Sequence, residues 1–293
     1  MTMPLGGLAA IADRYDGFIL DIWGVLHDGV AAYPGTIATL RALKAAGKRV
    51  LLLSNAPRRA GPVAGQVARL GIEPPLYDHL LSSGEAVHRA LAERRDPAFA
   101  TLGRRFALLG PAGDLDLVDG LDYRASRSAE ADFILNIGPL NPEATLDDYR
   151  ILLEEGCRRG LPMICANPDL VVVGHGRNVL CAGSYAARYE ELGGSVVRRG
   201  KPDPAIYAEA LALLGTAPGR TLCVGDGMPT DIRGAAVAGL DAVLVAGGIH
   251  AAELGYDPAA DRPPDPDRLA ALFDAAGLRP VATLPRLSWN RTA

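Results

Sequence analysis

The chain has 293 residues, of which 49% are hydrophobic, so it can bury the core of one large domain or of two moderate ones. Its formal net charge at pH 7 is −4 and its basic residues form no long run, which argues against a nucleic-acid partner. No apolar stretch reaches the roughly 18–20 residues that span a bilayer, and the first residues carry no signal-peptide pattern. We therefore expect a cytoplasmic protein without a membrane partner, with its four cysteines as reduced thiols.

The N-terminal part alternates strand and helix patterns. FILD, ending at Asp21, and RVLLLSN, ending at Asn55, are short apolar runs typical of buried strands. Residues 34–46 and 63–70 have helical patterns, and each of these two helices is followed by a glycine. Short apolar strands between amphipathic helices predict a parallel sheet that is covered on both faces.

A different stretch follows, roughly residues 84–182. It contains four further strand patterns and a helical pattern over 143–158; the strand patterns are RFALLG, ADFILNIG, PMICANP and LVVVG. About a hundred residues with that content cannot form a loop, and they predict an inserted domain. We therefore expect one discontinuous core domain, 1–83 and 183–293, interrupted by a second domain at 84–182.

After residue 182 the alternation of strand and helix patterns returns. GSVVRR, TLCVGD and DAVLVAGG are strand patterns, Asp203 can N-cap a helix that begins at Pro204, and residues 230–238 are helical. No element is predicted in the tail after residue 276. The fold class expected is α/β, with a Rossmann-like parallel-sheet core and an inserted α/β domain.

Three predicted core strands end in polar residues: Asp21, the pair Ser54 and Asn55, and Asp226. In open parallel sheets, ligands bind outside the carboxyl ends of the strands, so these ends indicate one shared site. Two carboxylates brought together there repel each other unless a cation intervenes. Mg²⁺, which prefers oxygen ligands and leaves positions open for water and phosphate, is the expected cofactor.

Each element also has a purely structural explanation. Asp21 could be a turn residue, and Ser54 with Asn55 could simply start a loop. Asp231, in GDGMPTD, could stabilise a helix N-terminus. Lys201, in RRGKPDP, could be an ordinary exposed lysine. The combination, in this order, favours a functional site.

In order and spacing, DIWGVLHDG, LLLSNAPR, GKPDPAIY and VGDGMPTDIRGA resemble the four motifs of the haloacid dehalogenase superfamily. The resemblance is closest to its class IIA branch, which includes 4-nitrophenylphosphatase-like and sugar-phosphate phosphatases. That branch carries an α/β cap where this chain has its insertion. The NPD at Asn167–Asp169 is similar to a short motif near the end of such caps.

The resemblance implies a role for each carboxylate. Asp21 would be the nucleophile that receives the phosphoryl group as an aspartyl-phosphate. Asp21, Asp226 and the main-chain carbonyl of Trp23 would bind Mg²⁺. Asp231 would support these ligands from behind, through a hydrogen bond or a metal-bound water.

The resemblance also implies phosphate-binding groups and an activity. Ser54 and the backbone amide of Asn55 would bind phosphoryl oxygens, and Lys201 would neutralise charge between phosphate and nucleophile. The expected function is a Mg²⁺-dependent phosphohydrolase acting on a small, sugar-phosphate-like metabolite under a closing cap. A homodimer formed through the cap is a further expectation.

Trp23 departs from the phosphatase pattern, which has an aspartate two residues after the nucleophile to protonate the leaving group and activate water. Indole cannot exchange a proton at neutral pH. A general acid–base group contributes roughly 10²–10⁴-fold, so a slow phosphatase, or one that prefers leaving groups needing no proton, is reasonable. His27, beside Asp28, is a candidate substitute for proton transfer, although VLHDG could be only a tight turn.

Two alternatives stay open at the level of sequence. The chain could be a ligand-binding or regulatory protein that has lost efficient turnover. It could also hydrolyse a bond at carbon, as dehalogenases do, although Asp226, Asp231 and Lys201 together fit a magnesium–phosphate site better.

Overall fold

The computed structural model describes residues 2–174, 177–257 and 264–290. Its strands are, in chain order, β1 (Met3–Pro4), β2 (Gly17–Asp21), β3 (Arg49–Ser54), β4 (His79–Ser82), β5 (Arg105–Leu109), β6 (Arg124–Ala125), β7 (Phe133–Asn136), β8 (Met163–Cys165), β9 (Val171–Gly174), β10 (Arg177–Leu180), β11 (Val196–Arg198), β12 (Thr221–Gly225), β13 (Asp241–Val245) and β14 (Ala282–Leu284). Its α-helices are α1 (Ala9–Ala12), α2 (Thr36–Ala45), α3 (Ala60–Ala68), α4 (Ser83–Glu93), α5 (Pro97–Ala100), α6 (Arg150–Arg158), α7 (Ala182–Glu191), α8 (Pro204–Leu214), α9 (Arg233–Val237) and α10 (Pro266–Ala276). No helix in these described ranges is long and apolar enough to cross a membrane.

The chain forms two compact units. The first comprises residues 1–54, 64–81 and 201–293, and the second comprises 55–63 and 82–200. The second unit therefore extends beyond residue 182, where the sequence interpretation ended the inserted domain. The reason is that β11 pairs with β8, so the GSVVRR strand belongs to the sheet of the second unit.

The first unit is built on a seven-stranded sheet in the order β1-β14-β13-β12-β2-β3-β4. The pairs that join β1, β14, β13, β12, β2 and β3 are all parallel. Every residue of the central strand β12 and of its neighbour β2 is buried, as expected for strands covered on both faces. The predicted α/β class with a Rossmann-like parallel sheet is confirmed.

The second unit has a five-stranded parallel sheet in the order β11-β8-β7-β5-β6, and β9 and β10 form a separate antiparallel pair. Alternate residues of β7 enter different cores. Phe133 and Leu135 pack into one buried cluster, and Ile134 packs into the other. This period of two is the pattern of a strand that is buried on both faces.

The predicted helix over 143–158 is wrong in its first half. Only α6 is an α-helix, and a short 3₁₀ turn (Asp147–Tyr149) precedes it. The carboxylate of Asp148 accepts hydrogen bonds from the backbone N–H and the hydroxyl of Thr145, at 2.7 and 2.9 Å. Such local side-chain bonds compete with helix formation. The α8 prediction is confirmed, because Asp203 caps the helix by accepting from Ala205 N.

Candidate active site

The two motif carboxylates lie at the same edge of the first unit's sheet. Asp21 is the last residue of β2, and Asp226 follows the last residue of β12. These strands are neighbours in a parallel register that pairs Leu20 with Val224. Parallel neighbours end at the same edge, so the fold itself brings the two carboxylates together.

Lys201 joins this edge through two buried ion pairs. Its Nζ lies 2.5 Å from Asp21 Oδ1 and 2.8 Å from Asp231 Oδ1. Lys201 is 3% exposed and all three carboxylates of Asp21, Asp226 and Asp231 are buried. One oxygen from each carboxylate lies within 4.8 Å of the others. The site thus concentrates three buried acidic groups and one buried lysine.

The electrostatics of this cluster call for a further cation. Burial, followed by repulsion from Asp231 and Asp226, raises the pKa of Asp21 well above its ordinary value, although Lys201 acts in the opposite direction. One ammonium group cannot balance three carboxylates in a medium of low dielectric constant. Clustered carboxylate oxygens are the donors that a hard divalent cation prefers. The residues present therefore fit a metal ion of that kind.

Asp231 is held by groups on both of its oxygens. Oδ1 accepts from Lys201, while Oδ2 accepts from Gly227 N at 3.1 Å and from the Thr230 hydroxyl at 3.2 Å. These bonds tie the turn after β12 to the lysine. These bonds fit the role of positioning Lys201. They do not leave both oxygens of Asp231 available to bind a metal ion.

Asp226 is enclosed by backbone. Its Oδ2 accepts from Ile249 N at 2.7 Å. A β-carbon at Gly24 would lie 2.0 Å from this oxygen, and one at Gly248 would lie 2.1 Å from it. Gly24 also has a φ of +80°, which favours glycine. Sequence reasoning missed Gly24, Gly248 and Ile249; the available signal was a glycine three residues after the end of each strand.

His250 was missed as well. Its Nε2 accepts from Met228 N at 3.2 Å, and its Nδ1 lies 2.9 Å from Glu253 Oε2. The imidazole therefore joins the turn after β12 to the segment after β13. A lone histidine without metal-ligand spacing gives no sequence signal for such a bridge.

Trp23 packs against the residue proposed to replace its missing acid. The rings of Trp23 and His27 are edge-to-face, with centroids 5.4 Å apart and an interplanar angle of 74°. A β-carbon at Gly29 would lie 2.4 Å from Trp23 Cη2, so the glycine admits the indole. His27 is buried, and its Nδ1 accepts from Gly29 N at 2.8 Å. Burial lowers the pKa of His27, with Asp28 opposing the shift.

The predicted phosphate-binding residues lie at the end of β3. Ser54 is the last residue of that strand, one position beyond Leu53, which is the register partner of Asp21. Asn55 begins the second unit, is buried, and donates from Nδ2 to Asp169 Oδ1 at 2.8 Å. Asn55 is thus in direct contact with Asp169 of the NPD motif. The phosphate roles of Ser54 and Asn55 stay predictions.

Comparison with known proteins adds the family. Residues 18–124 match the model of the haloacid dehalogenase-like hydrolases, and residues 198–272 match a second model described as HAD-hydrolase-like. Chronophin from Bos taurus is 30% identical over 267 residues, which cover 84% of this chain and 86% of that protein.

Two solved structures are similar over most of this chain. A haloacid dehalogenase-like hydrolase from Brucella suis 1330 aligns with a TM-score of 0.82 and 34% identity, covering 97% of this chain and 100% of its own. A glycerol phosphate phosphatase from Mycobacterium tuberculosis, in complex with calcium, aligns with a TM-score of 0.64 and 26% identity, covering 82% and 68%. The chain therefore belongs to the haloacid dehalogenase-like hydrolase family, as its motifs predict, and is an enzyme of the phosphatase type.

Proposed function

We propose that the protein is a Mg²⁺-dependent phosphohydrolase that transfers the phosphoryl group of a small phosphorylated metabolite to Asp21 and then to water. The observation that carries the proposal is the buried cluster in which Lys201 contacts Asp21 and Asp231 beside Asp226. Such a cluster is costly for stability alone, because three buried carboxylates share one lysine. An active site is the kind of place where that cost is retained.

Within this function, Asp21 is the nucleophile. Lys201 pairs with Oδ1 of Asp21, which keeps the carboxylate oriented and balances negative charge when a phosphoryl group approaches. Asp231 orients Lys201 from the other side. Asp21, Asp226 and the main-chain carbonyl of Trp23 are the groups that would hold Mg²⁺, which supplies positive charge to the phosphoryl oxygens when it is bound.

Ser54 and the backbone amide of Asn55 are proposed to bind the phosphoryl oxygens. The position of Ser54, one residue beyond the register partner of Asp21, supports its part of this role. The second unit is proposed to act as the cap that selects the substrate. The glycerol phosphate phosphatase among the similar structures supports a small phosphorylated substrate, and its calcium supports a divalent cation.

The test combines phosphate release with detection of the phosphorylated enzyme. Wild type should release phosphate from members of a panel of phosphorylated metabolites in Mg²⁺ and lose this activity in EDTA. Asp21→Asn should abolish the release of phosphate. It should also abolish the phosphoryl group that stays attached to the protein after acid quenching, because the amide cannot form the acyl phosphate.

Asp16→Asn is the matched control. Asp16 directly precedes the same strand, and its exposed carboxylate pairs with Arg220 at 2.6 Å. This variant should keep wild-type activity. If Asp21→Asn were as active as Asp16→Asn, Asp21 would not be the nucleophile and the proposal would be wrong.

A further inference from the structure

The starting point is the proton that the leaving group needs. Trp23 occupies the position two residues after Asp21, where the resemblance places a proton-donating aspartate. The indole N–H can donate a hydrogen bond but does not ionise near neutral pH. Any replacement must come from another titratable group with a proton to give.

His27 is not such a group in this structure. Gly29 N donates to its Nδ1, which means that the neutral ring carries its single proton on Nε2. A neutral imidazole N–H is not an acid at neutral pH, and the occupied Nδ1 cannot accept a proton from water. His250 is also committed, since its Nε2 accepts from Met228 N and its Nδ1 contacts Glu253.

The charged groups around Asp21 already take part in hydrogen bonds or ion pairs. Both oxygens of Asp231 accept hydrogen bonds, and Asp226 accepts from Ile249 N. Lys201 pairs with two buried carboxylates, so loss of its proton would leave them without a counter-charge. None of these groups, and neither Trp23 nor His27, is therefore placed to give a proton to the leaving group.

Building on the proposed function, we propose that the substrates are phosphates whose leaving oxygen is stable as an anion: aryl, enol or acyl phosphates, and not phosphates of simple alcohols. In the first step an Asp21 oxygen bonds to phosphorus as the bond from phosphorus to the leaving oxygen breaks. The leaving oxygen keeps the electron pair and departs as an anion, which takes its proton from solvent afterwards. Delocalisation within the leaving group replaces the missing acid.

Trp23 also gives this leaving group an apolar neighbour. The indole is fixed by the edge-to-face contact with His27 and by the close approach of Gly29, and it remains partly exposed. An immobilised, partly exposed aromatic ring can contact an aromatic or conjugated leaving group without losing side-chain entropy.

The second step has the same deficiency. Water must attack the phosphorus of the aspartyl-phosphate, with its oxygen bonding to phosphorus, the acyl oxygen returning to Asp21, and its protons remaining on the phosphate. Without a base at position 23 this hydrolysis is slow. When the leaving group is good, the first step is faster than the second, and the phosphorylated enzyme accumulates.

The experiment measures how the rate depends on leaving-group acidity. Wild-type enzyme in Mg²⁺ is assayed with phenyl phosphates of graded phenol acidity and with phosphates of simple alcohols. The logarithm of kcat/KM should rise steeply with acidity. Acid quenching in the first turnover should trap the phosphorylated enzyme with the most activated phenyl phosphate.

Variants at position 23 identify the cause. Trp23→Asp should raise kcat/KM for the alcohol phosphates by about 10²–10⁴-fold, the contribution of a general acid–base group, and should reduce the trapped intermediate. Trp23→Phe, which restores no acid, should keep the steep dependence. If Trp23→Asp does not fold, the wild-type slope and the trapping experiment still decide.

A shallow wild-type slope, with alcohol phosphates hydrolysed as well as activated phenyl phosphates, would overturn the inference, because a proton donor must then act. It would leave the proposed function intact. Failure of the proposed function has a different signature: neither phosphate release nor trapped intermediate with any substrate, including the most activated one.

Discussion

Lys201 is the residue on which the charge balance of the site depends. Its side chain is 4% exposed and contacts carboxylates that are 10% and 7% exposed. Lys201→Met keeps the apolar stem and removes the ammonium. Breaking a buried pair from one side leaves the partners uncompensated and costs about 3–5 kcal/mol. We expect a loss of that size in the free energy of unfolding, measured by urea denaturation in EDTA.

Lys44→Met is the comparison for this loss. Lys44 pairs with Asp78 at 2.6 Å in the same unit, but the two side chains are 25% and 22% exposed. A more hydrated pair contributes less, about 1 kcal/mol or below. If both variants lost the same free energy of unfolding, burial would not make the Lys201 ion pairs more stabilising than the Lys44 pair.

The structure brings together three carboxylates that the sequence interpretation had singled out. Asp21, Asp226 and Asp231 are recognisable because each follows an apolar strand or lies in a turn directly after one. The partners of these residues were not recognisable. Ile249 acts through its backbone N–H and Gly248 through its lack of a β-carbon, and neither contribution depends on a side chain that a motif would display.

The segments that follow β2 and β13 enclose the carboxylate of Asp226. A β-carbon at either Gly24 or Gly248 would collide with the same carboxylate oxygen, to which Ile249 N also donates a hydrogen bond. Gly248→Ala would place a methyl group 2.1 Å from that oxygen, so the carboxylate or the loop must move. Displacing groups that orient a metal ligand typically costs about 10–100-fold in affinity. We expect that loss in the Mg²⁺ dissociation constant, measured by isothermal titration calorimetry.

Gly219→Ala provides the matched glycine change. A β-carbon at Gly219, also in the first unit, would have no heavy atom within 4 Å. This variant should bind Mg²⁺ like wild type. Unchanged affinity in Gly248→Ala would argue against Asp226 as a metal ligand.

The sequence predicts the presence of a strand more readily than it predicts which other strand it pairs with. The GSVVRR strand exists as β11, but its three partly buried residues carry no signal for a partner, and it pairs with β8. The tail contributes β14, which lies between β1 and β13. A three-residue strand shows no measurable periodicity, so its place became visible only through its neighbours.

On the scale of the whole molecule, the chain passes between the two units several times. The segment 55–63 belongs to the second unit, although residues 64–81, which separate it from the rest of that unit in sequence, belong to the first. Glu85 of α4 secures this segment. Its carboxylate accepts from Arg59 Nε at 2.8 Å and from Ala60 N at 3.2 Å. No sequence pattern couples these positions, since the contact depends on the tertiary arrangement of α4.

This contact predicts how stability changes in acid. Burial raises the pKa of Glu85, but the hydrogen bonds from Arg59 and Ala60 N outweigh it and bring the pKa to about 2, below the ordinary 4.5. A carboxyl pKa that is lower in the folded state stabilises the folded state at pH values above the pKa of the unfolded chain. This stability is lost as the pH falls from about 4.5 to about 2.

Glu85→Gln should be less stable than wild type at pH 7 and lose less stability across that acid range. Urea denaturation followed by far-UV circular dichroism at several pH values measures both quantities. Glu93→Gln, at the exposed end of the same helix, should follow the wild-type pH profile because its carboxylate is 51% exposed. A Glu85→Gln profile parallel to wild type would mean that the carboxylate does not secure the segment through its charge.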